Sequence, residues 1–501
     1  MKDIVLVSAG VSQKEYPRFS RFQTLAAPGI YYLKAVLSKE GHKVRVIDQP
    51  TDNLSDEQVI ARINEFNPRY VLFNQFFSTR GRIRKIIANL GGNYLIGAGG
   101  HDATFNSIET GNLSQDYAGF DFIWRGEAEE GLADFLESLT EKQDQPLTGG
   151  SLVNRVNDLD TLPILTHDDY SGDTGFLVTS RGCFSKGCDF CTTPPFYKDG
   201  WRSRGVSHVS KELENLAKNG KKYVMITDDN FLGFQDEDFE RAAGILQRSK
   251  DLGLKLMFLT MSNRLLKAEE NRYLDGLEGT IFRVFLGVEN GDPSALKKLG
   301  KCCKYEIHAG QSKKAIHLLY TRGIAPLMGY INFNPDTTFE ELEISGDFLY
   351  QTMEAAKFVN LSQELRVFEG TRILEKFKRE GRKFDVVNGV YRYPFADSKV
   401  GDFLEYLKPM KDTTDEVDHA VFNIEELVSV NQLQNTPLGK QYWDLRKRTN
   451  EINYQFYIDS LNSFKNSTER PDKDKFLGQL RKLIEEYTGL HSRICAVAEH
   501  V

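Results

Sequence analysis

From the start of the chain to about Leu139, short apolar runs alternate with stretches of helical period. The runs are Ile4 to Ser8, Val44 to Asp48, Tyr70 to Phe73, Tyr94 to Gly97 and Phe122 to Trp124. They mark strands buried on both faces, with helices such as Ile30 to Lys39 between them. The pattern predicts a doubly wound, flavodoxin-like α/β domain over residues 1–142. Its ligand side is the carboxyl end of the strands, where Ser8 to Gly10, Gln75 to Thr79, Gly97 to His101 and Arg125 to Glu127 fall.

Residues 143–174 are poor in period and hold Pro146, Gly149, Gly150 and Pro163, the composition of a connector wrapped over the surface. Over 175–383 strand and helix then alternate. Phe176 to Thr179, Tyr223 to Thr227, Lys255 to Thr260, Phe282 to Val288, Pro326 to Ile331 and Phe358 to Leu361 are the predicted strands of a partial (β/α)6 barrel. Helix punctuation agrees: Asp292-Pro293 is an N-cap followed by proline, Thr338 to Glu341 has the capping-box form, and Gly323 stands at a helix stop. Residues 384–501 turn helical, with Leu438, Tyr442, Leu445, Thr449, Ile452 and Phe456 on one face, a charged break at Lys473 to Lys475, then Phe476, Leu480, Leu483 and Tyr487. This tail reads as a helical cap whose Tyr391, Tyr393 and Phe395 line a substrate entrance or pack as core.

Composition narrows the class. The 501 residues suffice for about three domains, and 40% hydrophobic with 27% charged residues describes a folded chain. With 64 basic against 71 acidic residues the net charge is -7, which argues against nucleic acid as a partner. No apolar run reaches membrane-spanning length, and the opening Met1-Lys2-Asp3 leads into a strand instead of a signal peptide, so a cytoplasmic location is expected. The six cysteines are not spaced as a disulfide framework: three crowd together and Cys302 and Cys303 are adjacent, as in a metal or redox site.

The strongest chemical signal is the run Arg181-Gly182-Cys183-Phe184-Ser185-Lys186-Gly187-Cys188-Asp189-Phe190-Cys191 after the first barrel strand. Three thiolates on one loop, Cys183, Cys188 and Cys191, suit three irons of a 4Fe-4S cubane and leave the fourth iron open. A structural zinc site competes, but His167 and His208 are not at ligand spacing for a fourth position.

With Ser180 to Cys183 and the aromatic Phe190 before the last cysteine, the chain resembles the radical S-adenosylmethionine superfamily over most of residues 1 to about 375. The spacing Cys-x4-Cys-x2-Cys departs by one residue from the usual Cys-x3-Cys-x2-Cys. The resemblance implies that S-adenosylmethionine chelates the open iron and is cleaved to a 5'-deoxyadenosyl radical, with electrons from a donor such as flavodoxin or ferredoxin. It further assigns cofactor contacts to Asp228 and Asp229 in Thr227-Asp228-Asp229-Asn230-Phe231, to Ser262 and Arg264, to Glu289 in Gly287-Val288-Glu289-Asn290, and to Asn332 in the stretch Gly329 to Thr337. For each of these a cap or salt bridge is the competing role.

The first domain resembles the cobalamin-binding domain that precedes many such barrels. Pro28-Gly29-Ile30, Gly41-His42-Lys43-Val44, Asp48, Gly99-Gly100-His101 and Gly126-Glu127 follow its order, and Gly99, Gly100 and His101 are the expected cofactor contacts. The Asp-x-His-x-x-Gly motif of another cobalamin class is absent. A retained domain that no longer binds cobalamin is the alternative.

The resulting expectation is a radical enzyme acting on an unactivated C–H bond of a small-molecule or peptide substrate, foremost a cobalamin-dependent C-methyltransferase. A peptide epimerase or rearrangement enzyme with Cys302 or Cys303 as hydrogen donor is the second reading, and a non-catalytic iron–sulfur or cobalamin sensor the third.

Overall fold

A computed structural model of the chain describes residues 3–10, 27–109, 117, 119–139, 147–151, 155–170, 172–184, 187–198, 200–301, 303–387 and 390–498. Ser185, Lys186 and Cys302 lie outside the described residues.

Six parallel strands form the first sheet: β1 (Asp3–Ser8), β2 (Lys43–Asp48), β3 (Tyr70–Asn74), β4 (Leu95–Gly99), β5 (Phe122–Arg125) and β6 (Leu147–Gly150). Their order is β2-β1-β3-β4-β5-β6, the flavodoxin-like winding, and β1 pairs Ile4 with both Val44 and Tyr70. Two apolar layers sandwich it, one including Leu6, Tyr32, Leu72 and Trp124, the other Val5, Val7, Phe73 and Ile123. The expected surface connector is corrected here. Residues 147–150 supply β6, pairing Phe122 with Leu147, and Val156, Leu159, Leu162 and Leu165 are buried in the first sheet's core. Val156, Leu159, Leu162 and Leu165 recur at every third residue around a 3-10 turn at Leu159–Thr161, a spacing that matches neither the strand period of 2 nor the helix period of 3.6.

The second sheet is β7 (Thr174–Leu177), β10 (Tyr223–Ile226), β11 (Lys255–Thr260), β12 (Ile281–Glu289) and β13 (Ala325–Tyr330), parallel and in the order β13-β12-β11-β10-β7. Between the first two of these in sequence, β8 (Ser180–Gly182) and β9 (Trp201–Ser203) make an antiparallel hairpin. The expected sixth barrel strand is also corrected: Phe358–Ser362 is helical, and only a single parallel bridge, Phe333 to Glu364, stands at the sixth position. Asp418 explains the change. Its carboxylate accepts the amides of Phe358 at 2.6 Å and Val359 at 2.8 Å, capping a helix start from the tail.

After the hairpin of β14 (Asp385–Val387) and β15 (Val390–Arg392), long helices Lys411–Val430, Pro437–Asn466 and Lys473–Ala498 share one core with the barrel. The first of them does not cap the mouth. Ser429 Oγ donates to the carbonyls of Phe282 (2.6 Å) and Gly323 (2.8 Å), and Lys255 Nζ to Val430 (2.6 Å), so the first long helix docks where barrel strands begin. Tyr391 and Tyr393 pack against a small core with Leu365, Val367 and Phe377, and Phe395 packs on Phe333, which makes them core residues. Among the described residues no helix is long and apolar enough to cross a membrane.

Candidate active site

The cysteine loop is held at both ends by one side chain. Asp229, at the end of β10, accepts the Gly182 amide at 3.0 Å and the Thr193 hydroxyl at 2.9 Å, on either side of Cys183 to Cys191. Gly182 has φ +90° and a Cβ there would stand 1.9 Å from the Gly200 carbonyl oxygen, so the β8–β9 hairpin closes only on glycine. Inside the loop the Cys188 amide donates to Gly300 (2.6 Å), the Cys191 amide to Cys188 (2.9 Å), and Cys188 itself has φ +62°.

Cys188 is buried, with Cys183 and Cys191 partly so. A cubane takes one cysteine per iron, so three cysteines on one loop suit three of its irons. Burial pushes the Cys191 thiol up to about 11, and metal ligation is what turns such a group into the thiolate.

The other expected contacts divide. Asp229 lines the cavity described below, whereas Asp228 spends its carboxylate on the Thr179 amide (2.7 Å) and the Thr179 and Ser180 hydroxyls. Burial raises both carboxyls. Ser262 is fully buried and shares a hydrogen bond with Ser312 at 3.1 Å, and Arg264 lies over the Phe234 ring and donates to its carbonyl. Asn332 is fully engaged, donating to Leu361 (2.7 Å) and Tyr457 (3.1 Å) and accepting from Ser345 (2.6 Å). Asp228, Ser262 and Asn332 thus turn their polar atoms into the protein, whereas Arg264 is only partly buried. Glu289 does sit at the mouth, on a bulge of β12 at φ +65°, paired with buried Lys301 at 2.7 Å. Burial alone would lower the Lys301 ammonium, but Glu289, then Cys188, and then Cys303 hold it above its ordinary value.

A largely apolar cavity of about 360 Å³ joins the two domains. Gly99, Gly100 and His101 line it from β4's end, Trp124 and Glu127 from β5 and its following loop, and Arg181 and Asp229 from the cysteine side. Gly29 and Gly99 face open space: a Cβ on Gly29 would meet nothing within 4 Å, and one on Gly99 only the Trp124 carbonyl at 4.0 Å. Gly100 has φ +99° and would press a Cβ to 2.5 Å from Asn74 Oδ1. His101 stacks on Phe196 with ring centroids 4.0 Å apart, and burial lowers its imidazole to about 4, so it is neutral. A flat ligand fits such a glycine-floored, aromatic-walled crevice.

Charge locks the domains around this cavity. Arg181 reaches Glu129 at 2.5 Å and Glu127 at 3.3 Å, and Arg202, its partner across the hairpin, reaches Glu127 at 2.6 Å. Sequence reasoning singled out none of these pairings; Arg181 in the cysteine motif and Gly126-Glu127 were the available signals. Cys303 lies beside Lys301 and lines neither this cavity nor the neighbouring one.

A parallel half-barrel with a three-cysteine loop at its mouth, facing the strand ends of a flavodoxin-like domain, defines a radical S-adenosylmethionine enzyme with a cobalamin-binding-type domain. The comparisons agree. The signature of the B12 binding domain matches residues 20–136 and that of the Radical SAM superfamily residues 177–349. The chain therefore carries a B12-binding domain followed by a radical S-adenosylmethionine domain. It is 26% identical to an uncharacterized methyltransferase of Pyrococcus horikoshii, over 80% of this chain and 92% of that protein. It is 23% identical to the cytidylyl-2-hydroxyethylphosphonate methyltransferase of Streptomyces wedmorensis, over 70% of this chain and 78% of that protein. In fold it is similar to the cobalamin-dependent S-adenosylmethionine radical enzyme OxsB with aqua-cobalamin bound, at TM-score 0.69 and 17% identity, covering 100% of this chain and 81% of that one. The methyltransferase TsrM of Kitasatospora setae, with cobalamin and a [4Fe-4S] cluster bound, follows at TM-score 0.56 and 16% identity, covering 77% of this chain and 76% of that one. The cofactors that go with this pair of domains are a 4Fe-4S cluster, S-adenosylmethionine and cobalamin.

Proposed function

We propose that the protein transfers a methyl group to an unactivated carbon of a small-molecule substrate. The observation that carries this is the shared cavity: Arg181 and Asp229 from the cysteine side and Gly99 to His101 from the first domain open onto one space. Bound together, the cofactors supply a 5'-deoxyadenosyl radical and a transferable methyl group. The balance is one substrate C–H, two molecules of S-adenosylmethionine and two electrons, giving methylated product, methionine, 5'-deoxyadenosine and S-adenosylhomocysteine. The electrons come from a low-potential donor of the flavodoxin or ferredoxin type, in a cytoplasmic, reducing setting.

The chain's own residues have positioning roles. Cys183, Cys188 and Cys191 hold the cluster, and Asp229 fixes the loop that carries them. Gly29 and Gly99 leave room for the corrin, and His101 offers a neutral imidazole beside it. The lock of Arg181 and Arg202 on Glu127 and Glu129 holds the two domains around the space between. Hydrogen donation by Cys303 has no such support, since it lines neither cavity.

Anaerobic reconstitution with iron, sulfide and hydroxocobalamin, followed by mass spectrometry, tests the reading. One corrin per chain and formation of 5'-deoxyadenosine together with S-adenosylhomocysteine are expected. 5'-Deoxyadenosine with neither corrin nor S-adenosylhomocysteine would overturn methyl transfer in favour of another radical outcome.

A further inference from the structure

A second cavity, of about 250 Å³, adjoins the first and shares Phe76 and His101 with it. Its remaining walls include Phe77 and Phe105 of the first domain, Phe368 after the barrel, and Thr192, the residue following Cys191. Phe77 and Phe368 approach across the domain boundary with ring centroids 4.2 Å apart, so both domains build the chamber. At Gly370, φ +78° with a would-be Cβ 2.2 Å from the Phe105 ring, the backbone after Phe368 is brought hard against the first domain.

We propose that this chamber receives the reacting part of the substrate, and that this part is flat, uncharged and apolar. The proposal rests on the methyl-transfer reading for its location: hydrogen abstraction and methyl donation must reach the same carbon, so the substrate must touch both the cysteine loop and the first domain's strand ends. Thr192 and Phe76 meet that demand from opposite sides.

The chemistry of the walls sets the ligand class. Asp102 is committed to Arg80 at 2.6 and 3.0 Å and to Gln75 at 2.7 Å. Glu369 accepts the Tyr391 hydroxyl and pairs with Lys378 at 3.6 Å. His101 is neutral. Among the described wall residues both carboxylates are thus already engaged, which disfavours an ion there, whereas four phenylalanine rings favour a planar apolar guest. A cavity of roughly 150 Å³ suffices for benzene, so this one accommodates a fused-ring system.

The test uses the full chain and two ring-matched fluorescent probes, uncharged 1-aminoanthracene and anionic 1-anthracenesulfonate, in the presence of saturating hydroxocobalamin to occupy the larger cavity. Saturable binding of the uncharged probe, at least tenfold weaker binding of the sulfonate, and at least tenfold loss in Phe368→Arg are expected. Phe77→Ala, a milder change in the ring that packs against Phe368, should weaken the uncharged probe several-fold with an unchanged melting temperature. Equal or tighter binding of the sulfonate, or probe binding indifferent to both substitutions, would overturn the proposal. Corrin uptake by the same preparations, read from the visible spectrum, bears on the methyl-transfer reading alone.

Discussion

The Arg181 guanidinium lies 2.5 Å from the Glu129 carboxylate, joining the residue two before Cys183 to the loop after β5 of the other domain. Both side chains are nearly buried, at 9% and 8% exposure. Burial alone would raise the Glu129 carboxyl, but Arg181 overrides it and holds that group below its usual range. The cysteine motif is thus tied directly to the corrin-side domain, and several measurable consequences follow from that tie and its neighbours.

Removing Arg181 leaves Glu129 buried without its partner, while Glu127 keeps Arg202. Arg181→Met should therefore cost about 3 kcal/mol in denaturant unfolding, and the double variant with Glu129→Gln should recover part of that. Because the Glu129 pKa is depressed in the fold, its contribution is fully present above about pH 4.3 and disappears as pH falls through the lower native value. A double variant no more stable than Arg181→Met alone would show that the pair is not coupled.

Iron and sulfide content should fall to background when Cys183, Cys188 and Cys191 are all replaced by Ala, and should stay at wild-type level in Cys302→Ala and Cys303→Ala. The reason is that only the first three lie on the loop clamped by Asp229.

Lys301 places a buried positive charge next to Cys188, whose amide is bonded to Gly300. A cation beside a ligating sulfur favours the reduced cluster, so Lys301→Met should move the cluster's midpoint to more negative potential in an EPR-monitored titration. Iron content serves as the folding control. An unmoved or more positive midpoint would remove Lys301 from that role.

Burial, reinforced by Lys301, lowers His308 to about 4, and its Nε2 meets the Val288 carbonyl at 2.9 Å. The unfolded chain takes up a proton near pH 6.5 that the native state refuses until about 4, so stability falls as pH drops through that window, by about 1.4 kcal/mol per unit. His308→Gln should show a shallower decline between pH 7 and 4.5 in urea unfolding. His101 carries the same sign.

Both parallel sheets were legible in the sequence because strands buried on two faces must be continuous apolar runs, and all five strands expected in the first domain formed, although β2, at the sheet edge, is buried only at Ile47 and Asp48. Local helix signals held as well. Thr338 and Glu341 close a capping box, and Asp292 accepts the Ala295 amide at 2.9 Å. The cysteine loop needed only spacing.

What the tertiary structure decided depends on partners far along the chain. Phe358–Ser362 has an apolar, β-compatible sequence, yet it is helical because Asp418, 60 residues from Phe358, caps it. Asn332 stands in a strand-end position that suggests a ligand contact, but Tyr457, 125 residues away, and Ser345 engage it. The helical tail was readable as helices, but not that its first long helix, Lys411–Val430, lies at the barrel's strand beginnings, since that depends on where Ser429 finds Phe282. Periodicity, caps and metal-ligand spacing report interactions within a few residues, which the sequence alone determines. Domain contacts such as Arg181 with Glu129 and Phe77 with Phe368 exist only once two separately coded sheets pack, because each supplies half of the contact.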